Sequence, residues 1–142
     1  MDLKEKRDLA KNLNTSGEDL RALAADKDDL VRQRVAMHSN TPVDVLRDLA
    51  TDEDWATIRQ RVARNINTPD DILSEMVKDE HRWVREDVAN NRKSSSATLI
   101  TLFENEKSLK NSSMGIIRAL YRNPNLPLFA KRVIETLYGE ML

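Results

Sequence analysis

The sequence predicts an all-α solenoid, a stack of four to five helical-hairpin repeats of roughly 26 residues each. Three observations predict it. A motif built on Asn-x-Asn-Thr-Pro recurs as Asn12-Leu13-Asn14-Thr15-Ser16, His38-Ser39-Asn40-Thr41-Pro42 and Asn65-Ile66-Asn67-Thr68-Pro69. Altered copies follow at Asn91-Arg92-Lys93-Ser94-Ser95 and Asn123-Pro124-Asn125-Leu126-Pro127, and the copies start 26, 27, 26 and 32 residues apart. Apolar residues keep step with the motif, and so does a second string, Val-Arg-x-x-Val-Ala. A unit of this size buries its apolar face only against its neighbours.

Aligned on the first motif residue, Leu20, Leu46, Leu73 and Leu99 share one position, and Leu23, Leu49, Met76 and Leu102 share another three residues on. Ala24, Ala50, Val77 and Phe103 come next. Spacings of three and four mark one face of a helix, here termed helix A. Thr41 reads as its N-cap, Pro42 as its first helical residue and Asp44 as the third, a capping-box variant. Thr68-Pro69-Asp70-Asp71 repeats that arrangement, and Thr15-Ser16-Gly17-Glu18 keeps the cap and the acid without the proline. Each such cap contributes on the order of 1 kcal/mol. The pattern is lost at Ser94-Ser95-Ser96-Ala97, which implies a looser turn there.

Acidic turns follow helix A at Asp26-Lys27-Asp28, Asp52-Glu53-Asp54 and Asp79-Glu80-His81. Helix B then carries Val31-Arg32-Gln33-Arg34-Val35-Ala36, Ile58-Arg59-Gln60-Arg61-Val62-Ala63 or Val84-Arg85-Glu86-Asp87-Val88-Ala89. Its β-branched pair forms an apolar stripe, and the small alanine allows close helix approach. The chain opens on a partial helix B, Leu9-Ala10-Lys11-Asn12, and the fourth helix B is diverged, Ile116-Ile117-Arg118-Ala119-Leu120-Tyr121. The 27-residue spacing places one additional residue in the acidic turn around Trp55. The 32-residue spacing adds about six residues within Glu106–Gly115. From Pro127 to Leu142 an amphipathic closing helix runs through Phe129, Val133, Ile134, Leu137 and Tyr138.

Val31-Arg32-x-x-Val35-Ala36, Asn-Thr-Pro, Leu46 to Asp52 in the form Leu-x-x-Leu-Ala-x-Asp, and Val84-Arg85-x-x-Val88-Ala89 together resemble leucine-rich repeat variant units. The resemblance covers residues 7–94 well and the remainder weakly. It implies a HEAT-like, right-handed superhelix of short helices and no one activity. The founding type of that family carries a cysteine-ligated iron–sulfur cluster. This chain has no cysteine, so that cofactor does not carry over, and none is expected.

At 142 residues the chain is expected to form one domain: regular repeats at 7–94, a diverged repeat at 95–126 with the insertion at 106–115, and a capping helix at 127–142. No apolar run reaches the roughly 18–20 residues of a membrane span. The N-terminal Met1-Asp2-Leu3-Lys4-Glu5-Lys6-Arg7 lacks the apolar stretch of a secretory signal, so a cytoplasmic location is expected. Charge is nearly balanced, at −1 overall; residues 1–79 hold 13 Lys/Arg against 17 Asp/Glu, and residues 80–142 hold 10 against 7. A nucleic-acid domain usually shows a stronger basic excess.

Arg32, Arg59 and Arg85 fall at equivalent places in successive helices, as do Arg34 and Arg61. Aligned, they form either a basic stripe for phosphates or an acidic surface, or a structural row paired with Asp26, Asp52 and Asp79 or with loop carbonyls. The less regular Arg64, Arg82, Arg92, Lys93, Arg118 and Arg122 are not demanded by the repeat. Trp55 and Trp83 lie near the A-to-B turns of adjacent repeats, and tryptophan is enriched among binding hot spots. Trp83 occupies a place filled by Leu30 and Thr57 elsewhere.

His38 replaces the motif asparagine and takes over its loop bonding, and two histidines, His38 and His81, are too few for a metal site. No phosphate loop and no nucleophilic triad can be assembled, and Asp54 beside Trp55 is the one acid–aromatic pair of the kind a glycosylase needs. The sequence therefore predicts a non-enzymatic scaffold that binds a protein partner through Trp55, Trp83, Arg82, Arg59 and Arg85, with Arg92 and Lys93 extending the patch. The alternative is a nucleic-acid-binding HEAT-like module with a basic concave stripe. Self-association through the closing helix is a further expectation if Phe129, Leu137 and Tyr138 are not covered within the chain.

Overall fold

The computed structural model describes residues 1–109 and 112–142, and among these it is all-helical, with ten α-helices and no strand. The chain divides into two compact units, Met1–Thr68 and Pro69–Leu142.

The N-terminal unit, Met1–Thr68, contains α1 (Leu3–Lys11), α2 (Gly17–Leu23), α3 (Asp29–Met37), α4 (Val43–Leu49) and α5 (Ala56–Arg64). The B helices α1, α3 and α5 pack side by side, and the A helices α2 and α4 lie against them. Helix α1 is a full-length B helix, not a partial one. Asp2 accepts the Glu5 N–H while Glu5 accepts the Asp2 N–H, a reciprocal cap that starts the helix six residues before the apolar pattern becomes visible. Leu20, Leu46, Val31, Val35, Ile58 and Val62 are all fully buried. The loop at 50–55 is one residue longer than the equivalent 24–28, as the 27-residue spacing requires.

The C-terminal unit, Pro69–Leu142, contains α6 (Asp70–Met76), α7 (Arg82–Asn90), α8 (Ser96–Ser108), α9 (Met114–Arg122) and α10 (Leu128–Tyr138), followed by a 3₁₀ turn at Gly139–Met141. The B helices α7 and α9 pack together, α6 and α8 lie against them, and α10 packs on α9. Leu73, Leu99, Val84, Val88, Ile116 and Leu120 fill the core. Part of the 106–115 insertion lengthens α8, an A helix of 13 residues where α2, α4 and α6 have seven. Residues 110 and 111 of that insertion lie outside the described residues. Helix α9 keeps the length and packing of a regular B helix, so the repeat at 105–122 departs in its connection and not in its helix.

The helix starts correct the sequence reading by one residue. The N-caps of α4 and α6 are Pro42 and Pro69, in extended backbone with no side-chain cap. The preceding hydroxyl turns backwards: Thr41 donates to the Val35 carbonyl and Thr68 to that of Val62, closing the helix B that has just ended. Thr15 does the same to Leu9, and Ser94 to Val88. Each hydroxyl is a second donor to a last-turn carbonyl that also accepts the C-cap N–H three residues on. Where proline is absent, serine caps the A helix, Ser16 accepting the Asp19 N–H and Ser95 that of Thr98. The serine-rich turn at 94–97 is therefore not loose. Its Ser94 is fully buried, and Ser95 N–H and Thr98 hydroxyl both donate to Asp70 at 2.7 Å.

Candidate partner-binding edge

Each repeat has two edges, one made by the motif loops that lead from helix B to helix A and one by the acidic turns that lead from A to B. On the first edge the motif side chains form a ladder. Asn12, Asn65, Asn91 and Asn123 each accept, through Oδ1, the N–H two residues on, at 2.8–3.0 Å. The amides of Asn65 and Asn123 also reach back one repeat. Asn65 donates to the carbonyls of Ala36 and His38, and Asn123 to those of Ala89 and Asn91. His38 reproduces both bonds: Nδ1 accepts the Asn40 N–H at 3.0 Å, which leaves Nε2 to donate to the Asn12 carbonyl at 2.8 Å. The second asparagine adds a parallel rail, Asn40 to Leu13 and Thr15, Asn67 to Ser39, Asn125 to Arg92 and Ser94. The motif is structural mortar, because buried loop backbone needs partners that water cannot supply.

The second edge is held by the recurrent arginines. Arg32 Nε donates to Asp52 at 3.0 Å, and its Nη1 donates to the carbonyls of Asp26 and Lys27. Arg59 Nη1 donates to the Asp52 carbonyl at 2.7 Å. Arg85 Nη1 donates to the carbonyls of Asp79 and Glu80, and its Nε donates to Glu106 at 2.6 Å. With 13% of its side chain exposed against a Glu106 that is fully enclosed, Arg85 is part of the framework and not an open contact residue. The same holds for Arg32. In each unit these guanidiniums bind carbonyls and carboxylates of this chain.

The carboxylates of the N-terminal unit respond to their cations. The Lys6 ammonium, 2.7 Å away, and the Asp28 N–H hold Asp26 below the usual carboxylate range. The bidentate Arg7 guanidinium does the same to Asp28, and Arg21 to Asp44. In the C-terminal unit burial pushes Asp70 up, but the Ser95 N–H and the Thr98 hydroxyl outweigh it and the net shift is downward.

Trp55 and Trp83 stand outside these schemes. Trp83, on the first turn of α7, is 53% exposed. The Arg82 guanidinium sits 5.6 Å from its ring centroid, and the His81 ring centroid is 6.3 Å away, tilted by 31°. Trp55, 49% exposed, occupies the N-cap of α5 and makes no cap hydrogen bond; the equivalent Asp28 of α3 accepts the Val31 N–H. Tryptophan there forgoes a cap of about 1 kcal/mol and leaves apolar surface in water. Asp54 beside it is exposed, 3.8 Å from Arg32.

Arg92 and Lys93, exposed, do not extend the Trp83 surface. They follow the far end of α7, about 13 Å along the axis from Arg82 at 1.5 Å per residue. Sequence reasoning missed Glu106 altogether, because the insertion moves it one residue out of phase with Asp26, Asp52 and Asp79. It lines an open cleft of about 580 Å³ with Lys78, Asp79 and Leu109, and among the described residues its Oε2 has no hydrogen-bond partner. Among the described residues no group of three or more His, Asp or Glu is placed to hold a metal ion, and no helix is long and apolar enough to cross a membrane.

Comparison with protein-family models, with curated proteins and with solved structures finds no match to this chain.

Proposed function

We propose that the protein is a non-catalytic binding scaffold that engages a protein partner through the A-to-B turns of its repeats, in the cytoplasm. Trp83 with Arg82 is the contact on the C-terminal unit and Trp55 is a separate contact on the N-terminal unit. The observation that carries this reading is Trp55, half-exposed at the N-cap of α5, where the other B helices of the N-terminal unit have the capping aspartates Asp2 and Asp28. A residue that breaks a local rule without an internal gain points to function. Arg59 and Arg85 act indirectly, bracing the turns that present the tryptophans. The right-handed, leucine-rich-repeat-variant type of α-solenoid, with four to five repeats, is the architecture that fits the periodic ladder within each unit.

The test is affinity capture from the native cell with the wild-type chain and with Trp55→Ala and Trp83→Ala separately, read by mass spectrometry. The reading expects a protein retained by the wild type and lost with at least one variant, while both variants keep the wild-type helical spectrum. Retention indifferent to both substitutions refutes it. A parallel titration with duplex DNA should show no binding at low salt; tight binding that weakens steeply with salt would instead assign a nucleic-acid partner.

A further inference from the structure

The A helices offer an internal comparison. Their outward faces carry Glu18 and Ala22 in α2, Asp44 and Asp48 in α4, and Asp71 and Glu75 in α6, all exposed to water. In α10 the two equivalent positions are Phe129 and Val133, and the next turn adds Leu137. These three residues, four apart, form one stripe along the helix. All three are exposed, Phe129 by 63% and Leu137 by 50%, while Ala130 and Ile134 alone within α10 are buried.

The stripe is held in place from its other side. Tyr121 donates to Glu135 at 2.6 Å, Lys131 lies over the Tyr121 ring, and Arg118 donates twice to the Met141 carbonyl, at 2.7 and 3.1 Å. The helix is thus fixed on α9 with an apolar ridge turned to water, where three earlier A helices turn acid or alanine.

We propose that α10 is a self-association surface that pairs with α10 of a second copy of this chain, antiparallel across a two-fold axis near Thr136. Two arguments select that occupant. The first is charge. Arg132 and Glu140, both exposed, flank the stripe toward opposite ends. An antiparallel pair sets each Arg132 near the partner copy's Glu140, twice over, and opposes Phe129 to Met141 and Val133 to Leu137; a parallel pair would set like charges together. The second is area. The exposed parts of Phe129, Val133, Leu137 and Met141 amount to on the order of 400 Å² per chain, a patch size that marks interaction sites. Two copies, with the flanking polar atoms, approach the roughly 1,000 Å² a specific interface needs. The stripe contains none of the residues assigned to partner binding above, so the two readings fail independently.

The experiment is sedimentation of the full chain from low to high micromolar concentration. The wild type is expected to pass from monomer to dimer. Val133→Glu and Phe129→Glu, which restore the acidic pattern of α4 and α6, are expected to stay monomeric with unchanged helical content. Arg132→Glu should weaken the dimer, and the charge swap R132E/E140R should recover it. A wild type that remains monomeric throughout overturns the proposal, as does a dimer untouched by the two glutamate substitutions. Failure of the swap to recover association overturns the antiparallel pairing.

Discussion

In the N-terminal unit the acid of the A-to-B turn does two jobs. Asp52 accepts the Arg32 guanidinium with one oxygen and the N–H groups of Asp54 and Trp55 with the other. In the C-terminal unit the acid that meets Arg85 is Glu106, inside the lengthened α8, where no turn N–H is offered. Among the described residues one of its oxygens is therefore bonded and the other is not. Two chemically similar pairs thus differ in how much of the desolvation cost is offset. A carboxylate built into a turn is satisfied by backbone at no extra expense. One carried into a helix has, among the described residues, its arginine as donor.

The largest expected effects test whether the two units are energetically separate. Leu46→Ala and Leu99→Ala each empty a fully buried site and should cost about 2–5 kcal/mol. Each unit holds one tryptophan, so denaturant curves of Trp83→Phe and Trp55→Phe backgrounds report the N-terminal and C-terminal units respectively. Leu46→Ala should shift the Trp55 signal and Leu99→Ala the Trp83 signal. Equal shifts of both signals by either substitution would show a single cooperative unit instead.

Next comes the ion-pair contrast. Arg85→Ala leaves Glu106 buried without a partner and should cost about 3–5 kcal/mol. Arg32→Ala leaves Asp52 with its two turn N–H bonds, so its cost should be smaller, about 1–3 kcal/mol, the range for a lost charge-assisted bond. Urea midpoints decide the order. A larger loss from Arg32→Ala would mean that Glu106 is relieved by some other donor.

His38 gives a finer test of the ladder. His38→Asn replaces the ring by the side chain that Asn65 and Asn123 use for the same two bonds, and should change stability by less than about 0.5 kcal/mol. His38→Ala removes both, leaves buried backbone groups unmatched and should cost about 1–3 kcal/mol. Thermal melts of the two variants separate them. Equal losses would mean that ring packing, not hydrogen bonding, fixes the position.

These contrasts also show what was legible in the sequence. Helix periodicity placed Leu20, Leu46, Leu73 and Leu99 in equivalent buried sites, because burial of one face is what creates the period. His38 could be equated with the motif asparagines by register alone. Thr41 and Pro42 were misread by one residue because a threonine before a proline fits two hydrogen-bonding schemes. Only the backbone shows that the hydroxyl closes the helix behind it rather than the one ahead. Ser94 looked like decay of the motif, yet a hydroxyl is all the position requires. Glu106 was invisible because pattern reasoning depends on phase, and the insertion shifts phase. For the candidate site, the exposure of Trp83 could be anticipated from Leu30 and Thr57 at equivalent places, whereas Trp55 stands at an N-cap that α3 fills with Asp28. The separation of Arg92 and Lys93 from Arg82 required knowing where α7 begins and ends.

The smallest effect is expected from acid, and it again divides the units. Asp26, Asp28 and Asp44 of the N-terminal unit are held below their ordinary range by the cations Lys6, Arg7 and Arg21, whereas Asp70 of the C-terminal unit is held low by the Ser95 N–H and the Thr98 hydroxyl. A group whose folded pKa is depressed contributes stability above its unfolded value, about 3.9 for aspartate, and loses it as pH falls through the folded value. Between neutral pH and that point neither unit should respond through these groups. Below it, denaturant midpoints reported by Trp55 should fall faster than those reported by Trp83. Added salt should narrow the gap, because the N-terminal pairs are partly solvated and screened. Parallel decline of the two signals would show that the three surface pairs add nothing to folding, and that the N-terminal unit rests on its buried stripe and its asparagine ladder alone.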